Sequence, residues 1–198
     1  MQFFLRKALW KMRTEEKKIW LTFDDGPIPG VTPWVLDVLD EYDAKATFFC
    51  VGENVVKHEK IFHSIIEKGH AVANHSYHHL NGWRTSNEIY FEDVERCNGL
   101  LRSKLFRPPY GKLRPSQYMN LGEKYSIVMW DVLTGDFDTK ITREKCLENA
   151  LQYSRPGSIV LFHDSLKARE RMQYALPKFL EHFKKDGFSF ERLESGVA

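Results

Sequence analysis

Short apolar runs alternate with amphipathic segments along nearly the whole chain, and this alternation constrains the fold more than any other feature. The runs lie at 19–23, 46–51, 71–73, 105–106, 127–130, 158–162 and 188–190, rich in aromatic and β-branched residues, and each reads as a buried strand. Between them come helix signals. Thr32-Pro33 reads as N-cap and first turn of a helix whose inner face is Val35, Val38, Leu39 and Tyr42. Ile61, Phe62, Ile65 and Ile66 make a second face, closed by Gly69. Thr85 and Glu88 read as a capping box for a helix through Val94, Cys97 and Leu101. Thr142 opens a helix with Leu147, Ala150 and Leu151 inward, and a last helix spans 169–184, with Pro177 either kinking it or starting its main part. Strand–helix alternation predicts a parallel sheet with crossover helices. Periodicity leaves a closed barrel and an open sheet equally possible. The 198 residues suit one domain with a substantial core.

Polar residues fall at the C-terminal ends of these strands, where α/β folds place their sites. Asp24 and Asp25 follow the first strand, His75 the third, Arg107 the fourth, Asp131 and Asp136 the fifth, and His163 and Asp164 the sixth. Two adjacent carboxylates at a buried strand end raise each other's pKa. A divalent cation bound by one of them relieves that conflict, although a solvated Asp-Asp-Gly turn is the plainer alternative. His70, His75, His78 and His79 crowd into one segment. His75 and His79 are four apart, so a helical turn would put both rings on one face. Two imidazoles and a carboxylate leave open positions on a metal ion, as a catalytic site requires. His70 and His78 are expected to be structural. The second carboxylate is then free to act as a base, His163 titrates near neutral pH, and the Arg107 fork can orient a carboxylate. This is an inventory for metal-assisted hydrolysis of an amide or ester.

Other features exclude function classes. A net charge of +2 without a basic stripe argues against nucleic acid. No run approaches the roughly 20 apolar residues needed to span a bilayer. The three cysteines, Cys50, Cys97 and Cys146, form neither a metal pair nor a disulfide framework. Residues 1–17 are set apart from a domain at 18–198. Apolar and basic residues alternate over 1–13, which suits either a short amphipathic helix on a membrane surface or an arm packed against the domain. The opening residues do not form a signal peptide. The expectation is therefore a cytoplasmic or membrane-surface location, with export by another route left open, and the oligomeric state is not legible.

Five segments in order carry a resemblance: TFDDG at 22–26, HSYHH at 75–79, RPPYG at 107–111, WDVLTGDFD at 130–138 and VLFHDS at 160–165. Together they resemble the polysaccharide deacetylase family (the NodB-homology domain, carbohydrate esterase family 4). The resemblance implies a distorted (β/α)7 barrel in a single domain. It also implies one divalent metal ion, zinc first with cobalt, nickel or iron as alternatives, held by Asp25, His75 and His79. By motif position Asp24 is the general base, oriented by Arg107, and the Tyr110 backbone N–H serves the oxyanion. His163 is the general acid tuned by Asp136, and Leu161 lines the acetyl pocket. The fourth motif departs from the family's Asp-x-x-Asp-Trp, having Leu133 for the first Asp and Phe137 for Trp. That puts substrate preference in doubt at the groove wall formed by Phe137. Trp83, just beyond the histidines, suits either a sugar platform or a core anchor. The implied activity is removal of N-acetyl groups from an N-acetylated glycan or glycoconjugate. An O-acetyl xylan esterase or sugar deformylase would use the same site, and a glycan-binding module with a decayed site is the non-enzyme alternative.

Overall fold

The computed structural model describes residues 8–194. In chain order the elements are β1 (Lys18–Asp24), α1 (Thr32–Glu41), β2 (Thr47–Cys50), α2 (Gly52–Lys57), α3 (Glu59–Glu67) and β3 (Ala71–Asn74). There follow α4 (Asn87–Leu101), β4 (Leu105–Phe106), α5 (Pro115–Lys124), β5 (Ser126–Ile127) and β6 (Val132–Leu133). The chain ends with α6 (Arg143–Tyr153), β7 (Ile159–His163), α7 (Arg169–Lys185) and β8 (Ser189–Glu191). The strands run β5-β4-β3-β2-β1-β7-β6, with β8 added to β1, and every pairing is parallel. The sheet curls into an incompletely closed barrel, in line with the predicted distorted (β/α)7 architecture.

Both faces of this sheet are buried, so its strands read as continuous apolar runs. On β1, Ile19, Leu21 and Phe23 point to the helices and join the main core, while Trp20 packs on the other face with Phe49, Ala73, Leu105, Val128 and Ile159. Phe23 lies between Phe48 and Phe162, with ring centroids 5.1 and 6.0 Å away. The inner layer plugs one end of the barrel and leaves the C-terminal strand ends for polar residues.

The extended segment 8–12 completes the barrel wall. Leu9 bridges Val128 and Lys11 bridges Ser158, so the arm fills the gap between β5 and β7. Residues 8–17 contain no helix, and 1–7, which carry part of the predicted membrane-surface segment, lie outside the described residues. The arm also explains why the predicted strand 127–130 is cut short. Leu9 N–H donates to Ile127 O, and Met129 N–H donates to Leu9 O. Val128 N–H still donates to Phe106 O of β4, and Met129 then bonds to the arm.

Several helix starts differ from expectation. The N-cap of α1 is Val31, not Thr32, because the Thr32 hydroxyl is taken by a buried carboxylate described below. The cap of α4 is Ser86, without a side-chain bond. Thr85 donates to Asn81 O instead, so no Thr85–Glu88 box forms. Thr142 does cap α6, accepting from Lys145 N–H. Pro177 lies inside α7 and does not start it. The sequence reading lacks α5, although Pro115 at its start and the Gln117 side chain, which accepts from Arg114 N–H at 2.9 Å, mark it.

Candidate active site

A parallel sheet gathers its C-terminal strand ends on one rim. Here β1, β3, β4 and β7 bring Asp24, His75, Arg107 and His163 there. One oxygen of Asp25 and one ring nitrogen each of His75 and His79 lie within 4.8 Å of one another. Asp25 Oδ1 is 3.3 Å from His79 Nε2 and 3.9 Å from His75 Nε2. His75 Nδ1 sits 2.8 Å from the Arg107 carbonyl. A carbonyl can only accept, so Nδ1 carries the proton and the Nε2 lone pair is free. Burial lowers the His75 pKa to about 4 despite Asp24 and Asp25 nearby, which keeps the ring neutral. Burial works to raise the Asp25 pKa, but the His79 hydrogen bond and the charges of His163, His75 and His79 outweigh it. They hold the carboxyl well below the usual carboxylate range. An ionised carboxylate with a neutral, correctly oriented imidazole is the donor state a divalent cation requires, so these residues fit a metal ion.

The histidine pair is not built as the spacing predicts. There is no helical turn at 75–79. Ser76 and His79 adopt left-handed backbone, with φ of 61° and 56°, and the two rings meet with centroids 5.0 Å apart. Buried side chains hold this turn. Asn74 Oδ1 accepts from Ser76 N–H at 2.8 Å. Asp93, from α4, accepts the Tyr77 and His78 N–H groups on one oxygen at 2.9 and 3.0 Å, and its other oxygen meets His78 Nδ1 at 2.5 Å. His78 therefore faces Asp93, away from the metal donors. His70 is buried and its Nδ1 accepts from Ala46 N–H.

Asp25 also sits in strained backbone, with φ of 87°. Its carbonyl accepts from Asn54 Nδ2 at 2.8 Å, and the next N–H, of Gly26, donates to Asp164 Oδ1 at 3.0 Å. Asp164 Oδ2 accepts the Thr32 hydroxyl at 2.5 Å. A Cβ on Gly26 would lie 1.9 Å from that same Oδ2, so only glycine fits. Burial raises the Asp164 pKa to about 8, against the Thr32 hydrogen bond and with help from Asp25.

Asp24 is buried beside the donor triad, its Oδ2 3.6 Å from His75 Nε2. Arg107, fully buried, donates from NH1 to Asp24 Oδ1 at 2.7 Å and to Thr22 Oγ1 at 2.9 Å. Its remaining donors reach Val128 O and Met129 O, and Phe49 lies under the guanidinium at 4.0 Å. Four hydrogen bonds from this guanidinium help the buried ion pair to offset its desolvation. Across the rim, His163 Nδ1 is 2.8 Å from Asp136 Oδ1, and His163 N–H donates to Asp136 Oδ2 at 2.6 Å. Burial disfavours the charged imidazole, but the Asp136 carboxylate, with Asp25 and Asp24 beyond it, prevails and raises the His163 pKa to about 9. Phe137 packs edge-on against His163, centroids 5.0 Å apart.

Around this centre, Tyr110 is exposed and edge-on to His79 at 4.6 Å. Its φ is 60°, and no backbone carbonyl takes its N–H among the described residues. Leu161 is buried on β7, two residues before His163 and so on the same strand face. Trp83 is 51% exposed and is not a core anchor. Asp131 departs from expectation. It accepts from Ser158 Oγ and Ile159 N–H at the start of β7, which places it at the opposite end of the sheet from the rim. The sequence reading missed Asp93, Asn54 and the supporting role of Asp164, because no local pattern marks a carboxylate or amide that acts on a distant loop.

The polysaccharide deacetylase family model matches residues 11–129. A peptidoglycan-N-acetylglucosamine deacetylase of Bacillus cereus is 32% identical over 188 residues, covering 91% of this chain and 88% of that protein. A chitooligosaccharide deacetylase of Azorhizobium caulinodans is 33% identical over 165 residues, covering 78% and 77%. The crystal structure of the Bc1960 peptidoglycan N-acetylglucosamine deacetylase superposes with a TM-score of 0.88 at 30% identity, covering 94% of this chain and 91% of that one. With a rim that carries all five motif segments in one place, the chain belongs to the polysaccharide deacetylase family and is a hydrolase.

Proposed function

We propose that this chain removes N-acetyl groups from the sugars of a peptidoglycan-type glycan and releases acetate. The observation that carries this reading is the pairing, on one rim, of a metal-competent Asp25–His75–His79 triad with an imidazole held charged by a buried carboxylate. A divalent ion held by Asp25, His75 and His79, zinc or alternatively cobalt, nickel or iron, supplies Lewis acidity toward water and the scissile carbonyl. Asp24, held by Arg107, takes the proton from the attacking water. The Tyr110 N–H donates to the oxyanion as the carbonyl becomes tetrahedral. His163, charged through Asp136, gives its proton to the departing nitrogen, and the C–N bond breaks to leave a free amine. Leu161 and Phe137 wall the acyl side.

The charged His163 also favours the amide over the ester reading, because an amine needs a proton in order to leave and an alkoxide needs one far less. The intact donor triad opposes a decayed binding module. The test is acetate release by the purified chain before and after chelation, with zinc or cobalt restored, on peptidoglycan fragments, chitooligosaccharides and acetylated xylan. Metal-dependent acetate from an N-acetylated sugar supports the proposal, and release from xylan alone overturns it. Asp24→Asn should keep the metal and lose turnover by about 10²-fold or more.

A further inference from the structure

The His163–Asp136 pair stands on two unequal supports. His163 ends β7 and lies in register with Asp24 of β1, so the sheet fixes its backbone. Asp136 lies in the loop after β6 and belongs to no ladder. Gly135 before it has φ of 78°, a conformation glycine adopts without strain, and the Asp136 N–H reaches Thr134 Oγ1 only at 3.4 Å. Both carboxylate oxygens of Asp136 go to His163. Two groups that bind each other fix their separation, not their place on the rim.

Arg171 supplies the outside anchor. It lies in the first turn of α7 and is buried. Its Nε donates to Asp136 O at 2.7 Å, and its Nη2 donates to Lys167 O at 2.7 Å. Lys167 belongs to the turn that follows His163 and Asp164. One rigid, planar guanidinium therefore joins the loop that carries Asp136 to the turn that leaves β7. Burying a charge is costly, and here the opposite charge is close. Burial raises the Cys146 thiol pKa to about 12, with Asp136 adding to the rise and Thr134 and Arg171 opposing it. The carboxylate and the guanidinium thus both act on this one buried thiol of α6.

We propose that Arg171 is a positioning residue for the general acid. It holds the Asp136 carbonyl, Asp136 holds His163 Nδ1, and the ring is thereby aimed with Nε2 toward the departing nitrogen. This inference rests on the deacetylase reading and adds to it a residue outside all five motif segments, one whose effect falls on protonation of the leaving group.

The metal-loaded full chain is assayed on a peptidoglycan tetrasaccharide, whose amine must be protonated to leave, and on 4-nitrophenyl acetate, whose phenolate leaves without an acid. The chelator-sensitive rate is taken for each, and the readout is the amide-to-ester ratio of kcat/KM. Arg171→Met should lower that ratio about tenfold, through kcat on the amide with KM unchanged. Arg171→Lys, which keeps the charge and a donor, should recover part of the loss. In an Asp136→Asn background, Arg171→Met should lower the ratio no further, because it acts through Asp136. Melting curves check that each variant is folded, and Arg171→Lys alone carries the comparison if Arg171→Met is not. An unmoved ratio, equal losses on both substrates, or a loss that multiplies with that of Asp136→Asn overturns the positioning role. If metal-loaded wild type releases no acetate from the tetrasaccharide, the deacetylase reading fails instead. Proton NMR of the metal-free chain then decides the role of Arg171. The His163 Nδ1 proton, identified by its loss in His163→Gln, should exchange with water several-fold faster in Arg171→Met, with Arg171→Lys intermediate, and an unchanged exchange rate overturns the proposal.

Discussion

At the scale of single residues, the rim concentrates backbone conformations that L-residues avoid. Asp25, Ser76, His79 and Tyr110 all have positive φ, each costing on the order of 1–3 kcal/mol, and they persist because neighbouring groups hold them. Asp93 is the clearest of these supports, with three bonds to the turn between His75 and His79. Asp93→Asn keeps an acceptor but loses the charge and one bonding partner. Metal affinity should fall about 10- to 100-fold while the fold survives, as for other residues that orient ligands from behind, and a competition titration with a chelating dye measures this. His163 makes a second prediction, for the metal-free protein. Its folded pKa, about 9, is above the 6.5 of an unperturbed imidazole. The stability it contributes is therefore complete below pH 6.5 and lost as pH rises through 9. Asp164, raised to about 8, also loses stability as pH rises. Urea midpoints between pH 6 and 10 should fall, and Asp136→Asn should remove only the His163 part.

At the scale of elements, the arm 8–12 acts as a missing strand. It is joined to β7 where Met12 N–H donates to Gly157 O, and Gly157 has φ of 85° with its absent Cβ only 2.3 Å from Met12 O. Gly157→Ala should therefore push the arm off the sheet and cost about 1–3 kcal/mol, visible as a lower melting temperature. Hydrogen exchange at Leu9 and Met129, whose amides bond across this seam, should rise in the same variant.

At the scale of the whole molecule, the barrel interior is layered. The apolar plug of Trp20, Phe49, Ala73, Leu105, Val128 and Ile159 lies beneath the buried Arg107 guanidinium, and the rim lies above. Arg107 joins β1, through Thr22 and Asp24, to the chain after β5, through Val128 and Met129. It thus ties both sides of the curl to β4. Arg107→Leu would leave Asp24 buried without its partner and two carbonyls unbonded. The expected loss is about 3–5 kcal/mol, read from urea unfolding, together with loss of turnover.

The strand–helix alternation and the strand-end positions of Asp24, Asp25, His75, Arg107, Asp136 and His163 were legible in the sequence. Side-chain periodicity and residue type are local properties that survive without knowledge of the fold. The helix α5 was not read from the sequence, although Pro115 stands at its start. What only the tertiary structure decided were contacts between residues far apart in the chain. Thr32 gives its hydroxyl to Asp164, Asp93 shapes the turn at 75–79, the arm bonds to Ile127 and Met129, and Asp131 faces the opposite end of the sheet. Each is a hydrogen bond made because burial leaves a polar group no water to turn to, and its partner is set by the packing of distant elements rather than by its neighbours in sequence.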